Sequence, residues 1–182
     1  MTTTIRKPRA DAERNKQLLL EIAKTKFAVK GAAATLDEIA KTAGVGIGTL
    51  YRHFPTREAL VEEVYRNESE QLVAAARSLQ EGHPAWDALR EWLLLFADYL
   101  ANRQLMAEAV SPDLCAVSRQ PLTDAVNTLV ANAEKEAGTA LALSGVDMLA
   151  AIAGVVNVSK GPDLGAGARA LVDALIGGLQ RR

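Results

Sequence analysis

Residues able to hold a phosphate backbone and read base edges are concentrated at positions 48–53. They are small, hydroxylated, aromatic or basic: Gly48, Thr49, Tyr51, Arg52 and His53. Small residues allow close approach to a ligand, hydroxyl groups bond to phosphate oxygens, and a basic side chain is attracted to backbone charge. The combination predicts a helix laid in the major groove of double-stranded DNA.

Two short helices joined by a glycine turn must position these side chains. Thr35 can cap the first helix with its hydroxyl, Gly44 suits the left-handed position that ends it, and the second helix begins near Ile47. Apolar residues at helical spacing predict that the two helices pack together: Leu36, Ile39, Ala40 and Ala43, then Ile47, Leu50 and Phe54. This is the pattern of a helix-turn-helix DNA reader, and the alternative is an ordinary helical hairpin with a solvated polar face.

A longer signature runs through this segment and its flanks. It consists of Ala43-Gly44-Val45, Gly48-Thr49-Leu50-Tyr51 and His53-Phe54, with Phe27-Ala28-Val29-Lys30-Gly31 ahead and Arg57-Glu58-Ala59-Leu60 behind. In these residues, over roughly its first third, the chain resembles the tetracycline-repressor (TetR) family of bacterial transcription regulators. The family most often has Ser as a helix cap and phosphate contact where this chain has Gly46, so the resemblance does not extend to that contact.

The resemblance implies an all-α fold of about nine helices, with an N-terminal helix-turn-helix DNA-binding domain and a C-terminal helical ligand-binding and dimerisation domain. Residues 1–56 are predicted to hold an N-terminal arm and the motif, at about 34–53, and residues 57–182 to form the second domain. Candidate DNA contacts, by phosphate or base, are Thr35, Ile47, Gly48, Thr49, Tyr51, Arg52, His53 and Arg57.

The charge distribution agrees with this division. Residues 1–60 carry 11 Lys/Arg against 6 Asp/Glu, so a basic first third precedes an acidic remainder in a chain whose net charge is −1. Taken alone, this asymmetry fits a solvated surface as well as a polyanion site, but beside the motif it favours DNA binding. Arg6, Lys7 and Arg9 are predicted to be kept extended by Pro8 ahead of a first helix over Asp11–Lys30, as a groove-binding arm or a disordered basic tail.

Composition excludes several other classes. The 182 residues are 49% hydrophobic, enough for a sizeable core, yet there is no uncharged apolar run of about 18 residues. We do not expect the N-terminal residues to act as a secretory signal, because no apolar segment follows Arg6, Lys7 and Arg9. The single cysteine, Cys115, precludes an internal disulfide and suits a reducing cytoplasm. We expect a cytoplasmic protein, nucleoid-associated when bound to DNA, with no membrane contact.

The rest of the chain is helical in pattern, with Pro and Gly at the joints. Predicted helices cover Thr56–Leu79, Ala85–Asn102, Gln104–Val110, Leu122–Ala137, Val146–Val158 and Ala166–Leu179, with a break at 82–84, a turn at 111–113 and a loop between Gly138 and Gly145. The resemblance implies that the last two helices, at about 146–158 and 166–179, form a homodimer interface, and the alternative is that they complete the monomer core. A dimer would present two recognition helices to a palindrome.

No catalytic or metal site is expected. The two histidines, His53 and His83, lie apart in sequence, and Cys115 has no neighbouring His partner. Candidate ligand-binding residues are apolar or aromatic and lie near predicted helix joints: Trp92, Phe96, Tyr99, Met106, Cys115 and Val126. For each, plain core packing is the alternative.

These patterns predict a ligand-responsive DNA-binding transcriptional regulator that is not an enzyme. We expect a repressor that binds a palindromic operator as a dimer and is released by a small, largely apolar effector, with no cofactor. The alternatives are an effector-independent DNA-binding protein, controlled by its concentration or by a protein partner, and an enzyme on a helical scaffold.

Overall fold

Helices make up nearly all of the part of the chain that the structure describes. The computed structural model describes the backbone of residues 7–105, 112–158 and 166–181, and the side chains of 11–103, 118–158 and 166–181. Within these ranges lie eight α-helices and a short 3-10 helix at Gly31–Ala33: α1 Lys7–Lys30, α2 Leu36–Thr42, α3 Ile47–His53, α4 Arg57–Gly82, α5 Ala85–Leu105, α6 Pro112–Ala137, α7 Gly145–Val158 and α8 Ala166–Leu179. The predicted all-α class is confirmed.

The first helix begins earlier than predicted. It starts at Lys7 rather than Asp11, so Lys7 and Arg9 belong to α1 and the expected extended arm is wrong for them; Arg6 lies outside the described residues. Pro8 stands in the first helical turn, where a missing N–H is no loss because no helical acceptor precedes it.

The sixth helix also begins earlier, at Pro112 rather than Leu122. The predicted turn at 111–113 is therefore wrong for its last two residues, and Pro112 opens the helix instead. Pro121 lies inside α6 and removes one backbone donor, yet the helix continues, with a face of buried residues beyond it: Leu122, Val126, Leu129 and Ala133. The predicted short helix at 104–110 lies outside the described residues from Met106 onward, and its first two residues end α5.

The chain divides into two compact units. Among the described residues, unit 1 holds 7–67 and Leu105, and unit 2 holds 68–104, 112–158 and 166–181. The division falls inside α4, eleven residues beyond the predicted boundary at 56/57, which coincides with the start of α4. That boundary stays a prediction for the functional domains.

Unit 1 is built around one apolar cluster to which α1, α2, α3 and α4 all contribute. Its buried members are Leu19, Leu20, Ala23, Phe27, Ala34, Ile39, Ala40, Leu50, Phe54, Leu60, Val61 and Val64. Burying one Leu, Ile or Phe side chain contributes about 1.5–3 kcal/mol. The short helices α2 and α3 are therefore held mainly by this shared core.

An aromatic ladder lies in the core of unit 2. The indole Nε1 of Trp92 donates to the Leu72 carbonyl at 2.8 Å, which joins α5 to α4. Trp92 stacks on Phe96 with ring centroids 5.8 Å apart, and Phe96 lies 6.1 Å from Tyr99. All three rings are buried, as is Val126.

Glycine allows the close approach of α6 and α7. A Cβ atom on Gly145, the first residue of α7, would lie 2.8 Å from Asn127 Oδ1 and 2.8 Å from Val126 Cγ1. No real Cβ tolerates such distances without a shift of its neighbours. The glycine that was predicted to end a loop is also a packing requirement.

We expect Gly145→Ala to lower the free energy of unfolding by about 1–3 kcal/mol, because the added methyl group forces α7 away from Val126. Chemical denaturation measures the change. Gly82→Ala is the matched control, since nothing lies within 4 Å of its Cβ position, and it should leave stability unchanged or raise it by about 0.4–1 kcal/mol. Equal effects of the two substitutions would contradict the packing argument.

Candidate nucleic-acid interface

A capping box fixes the beginning of α2. Thr35 Oγ1 accepts from the Glu38 N–H at 3.3 Å, and a Glu38 carboxylate oxygen accepts from the Thr35 N–H at 3.5 Å. The other Glu38 oxygen accepts from Lys30 Nζ at 2.5 Å. The Lys30 ammonium, followed by the Thr35 N–H, lowers the pKa of Glu38. The predicted cap at Thr35 is confirmed.

The turn between α2 and α3 depends on Gly44. Its φ is +67°, in the left-handed region that favours glycine, as predicted. The Gly44 N–H donates to Lys41 and the Val45 N–H to Ala40, so carbonyls at the end of α2 are satisfied. Gly46 then precedes α3 in extended conformation without a side-chain cap, and its carbonyl accepts from the Thr49 N–H at 2.8 Å.

Leu50 anchors α3 and turns its other faces outward. Leu50 is fully buried and Phe54, the next residue after α3, is 2% exposed. Tyr51 is 48% exposed, Gly48 and Arg52 are exposed, and Thr49 and His53 are half-buried. Arg52 Nη2 donates to Thr49 Oγ1 at 2.9 Å, so these two predicted contacts are bonded to each other on α3.

Ile47 departs from the predicted packing. It was expected to pack on the first helix of the motif, but its side chain is 37% exposed. Ile47 is the first residue of α3, about one turn before the buried Leu50. This places it beside Gly48 and Tyr51, in the outward surface where it was also predicted to contact DNA.

Gly48 is not explained by packing within unit 1. A Cβ atom there would meet nothing within 4 Å, and the residue lies in a helix with ordinary φ. Glycine inside a helix costs about 0.5–1 kcal/mol relative to alanine. Gly48 therefore makes α3 less stable than alanine would, and it leaves no side chain on the helix surface at this position.

Arg57 is turned into unit 1. Its Nη1 donates to the Ala34 carbonyl at 2.7 Å and its Nη2 to the Gly31 carbonyl at 3.4 Å. Its guanidinium carbon lies 5.0 Å from the centroid of the Phe27 ring. Of the eight predicted DNA contacts, this is the side chain that the structure shows bonded to main-chain carbonyls.

Two acidic residues of this region were missed by the sequence reasoning. Glu38 follows Thr35 by three positions, and this capping-box spacing could have revealed it. Glu63 binds Lys16 at 2.6 Å and Arg66 at 2.5 Å, in a cleft of about 270 Å³ that is also lined by His53. No local signal predicts the Lys16 contact, since 47 residues separate the partners.

The predicted ligand residues divide into two sets. Trp92, Phe96, Tyr99 and Val126 are buried in unit 2, and the three rings adjoin one another. Met106 lies outside the described residues, and Cys115 lies in α6 but its side chain is outside them. A separate groove of about 320 Å³ between α4 and α6 is lined by Val73, Ala76, Arg77, Gln80, Pro121, Asp124, Ala125 and Thr128.

Among the described residues, no group of three or more His, Cys, Asp and Glu side chains could hold a metal ion. No helix in the same ranges has the length and apolarity needed to cross a membrane.

Comparison with known proteins gives the family. The family model for bacterial regulatory proteins of the tetR family matches residues 19–64, which contain α2 and α3. The TetR transcriptional regulator SCO0520 from Streptomyces coelicolor is 38% identical, with 90% of this chain and 97% of that chain covered and a TM-score of 0.77. This chain belongs to the TetR family. It is a helix-turn-helix, DNA-binding transcription regulator.

Other transcription regulators match most of the chain or a part of it. A TetR regulatory protein from Mycobacterium vanbaalenii is 27% identical over 92% of this chain and 98% of its own, with a TM-score of 0.74. The repressor KstR2 from Mycolicibacterium smegmatis is 48% identical over 50 residues, which are 27% of this chain and 24% of that protein. The regulator SAR0097 from Staphylococcus aureus is 29% identical over 52% of this chain and 51% of its own. The chain thus spans about half or less of the length of the curated relatives it matches.

The capping box should respond to acid. Because the folded pKa of Glu38 lies below its ordinary value of 4.5, its stabilising effect is present above that pH and is lost as the pH falls through the lowered pKa. We expect an NMR titration of the Glu38 carboxyl to show this lowered pKa, and Lys30→Gln to raise it. An identical titration in wild type and Lys30→Gln would contradict the assignment of the Lys30 ion pair as the main cause.

Proposed function

We propose that this protein is a homodimeric repressor that binds a palindromic operator through α3 and is released by a small, largely apolar effector. The observation that carries the proposal is the surface of α3, which is anchored by buried Leu50 and presents Gly48, Tyr51 and Arg52 outward. Such a surface fits the major groove, where phosphate contacts position the protein and base contacts specify the site. The protein would act in the cytoplasm, on the nucleoid.

The proposed DNA contacts have distinct roles. Thr35 Oγ1 accepts a bond as the cap of α2, which leaves its O–H free to donate to a phosphate oxygen. Arg52 supplies positive charge beside Thr49, and Tyr51 supplies a ring and a hydroxyl. The set is Thr35, Ile47, Gly48, Thr49, Tyr51, Arg52 and His53, with Gly48 allowing the helix backbone to approach.

The dimer is supported by two apolar faces. In α7 and α8 the buried residues recur every four positions: Met148, Ile152 and Val156, then Ala168, Val172 and Ile176. Two positions away, and so on the opposite face, a second set is exposed and apolar: Val146, Ala150, Gly154 and Val158, then Ala166, Ala170, Ala174 and Gly178. The first face completes the core of unit 2, and the second is suited to a copy of itself.

Unit 2 is the proposed place of effector binding. Its aromatic ladder offers flat apolar surface from Trp92, Phe96 and Tyr99, beside buried Val126. FadR from Bacillus subtilis, which is 18% identical over 89% of this chain and 98% of its own with a TM-score of 0.60, was solved in complex with stearoyl-CoA. A ligand that binds better to the DNA-incompetent arrangement would shift the population toward it, by changing the separation of the two α3 helices.

Control without an effector is the second candidate function. It is favoured by the complete burial of Trp92 and Val126 and by the hydrogen bond from Trp92 Nε1 to the Leu72 carbonyl. These are features of ordinary core residues and do not require a ligand. A screen of fatty acids, acyl-CoA esters and aromatic compounds for release of bound DNA distinguishes the two. Release of wild-type protein that is lost in Phe96→Ala supports effector control, and retention of DNA with every compound favours control by concentration or by a partner.

The close-approach role of Gly48 predicts opposite effects on stability and binding. We expect Gly48→Ala to raise the free energy of unfolding by about 0.5–1 kcal/mol, because alanine is the better helix former and has open space. The same methyl group should weaken operator binding by about tenfold or more, a loss of about 1.4 kcal/mol of binding free energy, because it would hold the α3 backbone away from the groove. Thermal unfolding and fluorescence anisotropy measure the two quantities.

Gly82→Ala is the control for this prediction, because it adds the same methyl group in open space at the end of α4. It should leave DNA binding unchanged. Operator affinity of Gly48→Ala equal to that of wild type would contradict a close approach of DNA to α3 at this position.

The second apolar face predicts the oligomeric state. We expect Ala150→Glu to convert the dimer to monomers, because the charge would be buried without a partner between two α7 helices. Analytical ultracentrifugation measures the mass, and Ser78→Glu, at an exposed position of α4, is the control that should remain dimeric. A dimeric Ala150→Glu protein would place the interface elsewhere.

A further inference from the structure

Arg57 occupies a position where a cation is disfavoured. It is the first residue of α4, and the positive end of a helix dipole repels a guanidinium. The side chain is half-buried in unit 1, where two carbonyls accept its N–H groups and its guanidinium carbon lies over the Phe27 ring. These three contacts offset the unfavourable position. They indicate that packing inside unit 1 determines which residue type suits position 57.

The shorter of the two bonds is made to a peptide group that is held from both sides. The carbonyl of Ala34 accepts from Arg57 at 2.7 Å, and the N–H of the same peptide group, which belongs to Thr35, donates to Glu38. Glu38 is itself paired with Lys30 at 2.5 Å. Side chains from α4 and α2 thus bond to the peptide between Ala34 and Thr35, and Lys30 of α1 holds Glu38 in place.

Thr35 depends on this peptide for its orientation. Its φ and ψ, −100° and 151°, are the extended conformation of an N-cap, in which Oγ1 accepts from the Glu38 N–H and keeps its O–H as a donor. A tilt of the peptide would move both the cap and the hydroxyl that is proposed to meet a phosphate. We infer that Arg57 is a positioning residue for DNA binding, which holds Thr35 and the beginning of α2 in place and does not itself touch DNA. The inference rests on the proposed function of Thr35 and α3.

Lysine separates positioning from phosphate contact. A lysine at position 57 keeps the positive charge and could reach a phosphate, but its single ammonium lacks the planar fork that reaches two carbonyls while stacking on a ring. If Arg57 bound phosphate, lysine would largely replace it. If Arg57 positions the peptide, lysine should fail nearly as much as an uncharged residue.

The test measures the salt dependence of DNA binding. Wild type, Arg57→Lys, Arg57→Gln and Arg52→Gln are titrated between about 50 and 200 mM salt against one duplex that the wild-type protein selects from genomic fragments. We expect both Arg57 variants to bind about tenfold more weakly with the slope of log affinity against log salt unchanged. Arg52→Gln, at an exposed position of α3, should lower that slope by about 0.9, the value of one phosphate contact.

Amide hydrogen exchange of the free protein gives a second readout that needs no DNA. In Arg57→Lys the Glu38 amide, which donates to Thr35 Oγ1, should exchange faster than in wild type. The Phe54 amide, which donates to Leu50 at the end of α3, should keep its wild-type rate. If Arg57→Gln does not fold, the exchange rates of the Glu38 and Phe54 amides in Arg57→Lys still test whether Arg57 positions Thr35.

Three results would overturn the inference. They are wild-type affinity in Arg57→Lys, a slope lowered by about 0.9 in Arg57→Gln, and an unchanged exchange rate at Glu38. Failure of the wild-type protein to select any duplex would instead refute the proposed function, and the exchange rates would still show whether Arg57 holds the peptide.

Discussion

The burial of Leu50 is the constraint on which the proposed DNA-reading surface of α3 depends. A helix of seven residues does not form in water by itself, because nucleation costs more than so few hydrogen bonds return. Leu50 and Phe54 supply the missing free energy by entering the apolar cluster of unit 1. Because Leu50 and Phe54 lie one helical turn apart on the buried face, the side chains of the residues between them lie on the other faces of the helix. The residue types on those outer faces are then free of packing requirements and can suit the proposed DNA ligand.

The connections before and after α2 fix the orientation of α2 and α3 on the apolar cluster. Gly44 allows the chain to turn in the left-handed region, so that α3 begins only a few residues after α2 ends. The capping box and the Arg57 bonds fix the other end of α2. The shared apolar cluster holds both short helices, and these few short contacts fix how their ends meet. Because tertiary contacts stabilise α3, the helix tolerates the destabilising glycine at position 48, which has open space around it.

Local chemistry predicted the motif well because its determinants lie close together in sequence. Thr35, Gly44 and the start of α3 at Ile47 follow from capping, left-handed glycine and apolar spacing, and all three are found in the structure. The misplaced beginnings of α1 and α6 share one cause, because Pro8 predicts an extended segment and Pro112 a turn, although proline is tolerated in the first turn of a helix. Pro121 shows that a long helix also continues past an internal proline, with the loss of one backbone hydrogen bond. The role of Arg57 could not be predicted, because its carbonyl partners lie 23 and 26 residues away. The DNA and effector residues remain predictions, with Met106 and the Cys115 side chain outside the described residues.

The central claim is that the outward face of α3 reads DNA sequence. Fluorescence anisotropy tests it most directly, with DNA from the region upstream of the protein's own gene, a scrambled duplex of equal length, and Tyr51→Ala beside Val29→Ala, an exposed residue of α1. The account predicts that wild type and Val29→Ala prefer the upstream DNA by about a thousandfold or more, and that Tyr51→Ala loses most of this preference. Equal preference in Tyr51→Ala and wild type would contradict it.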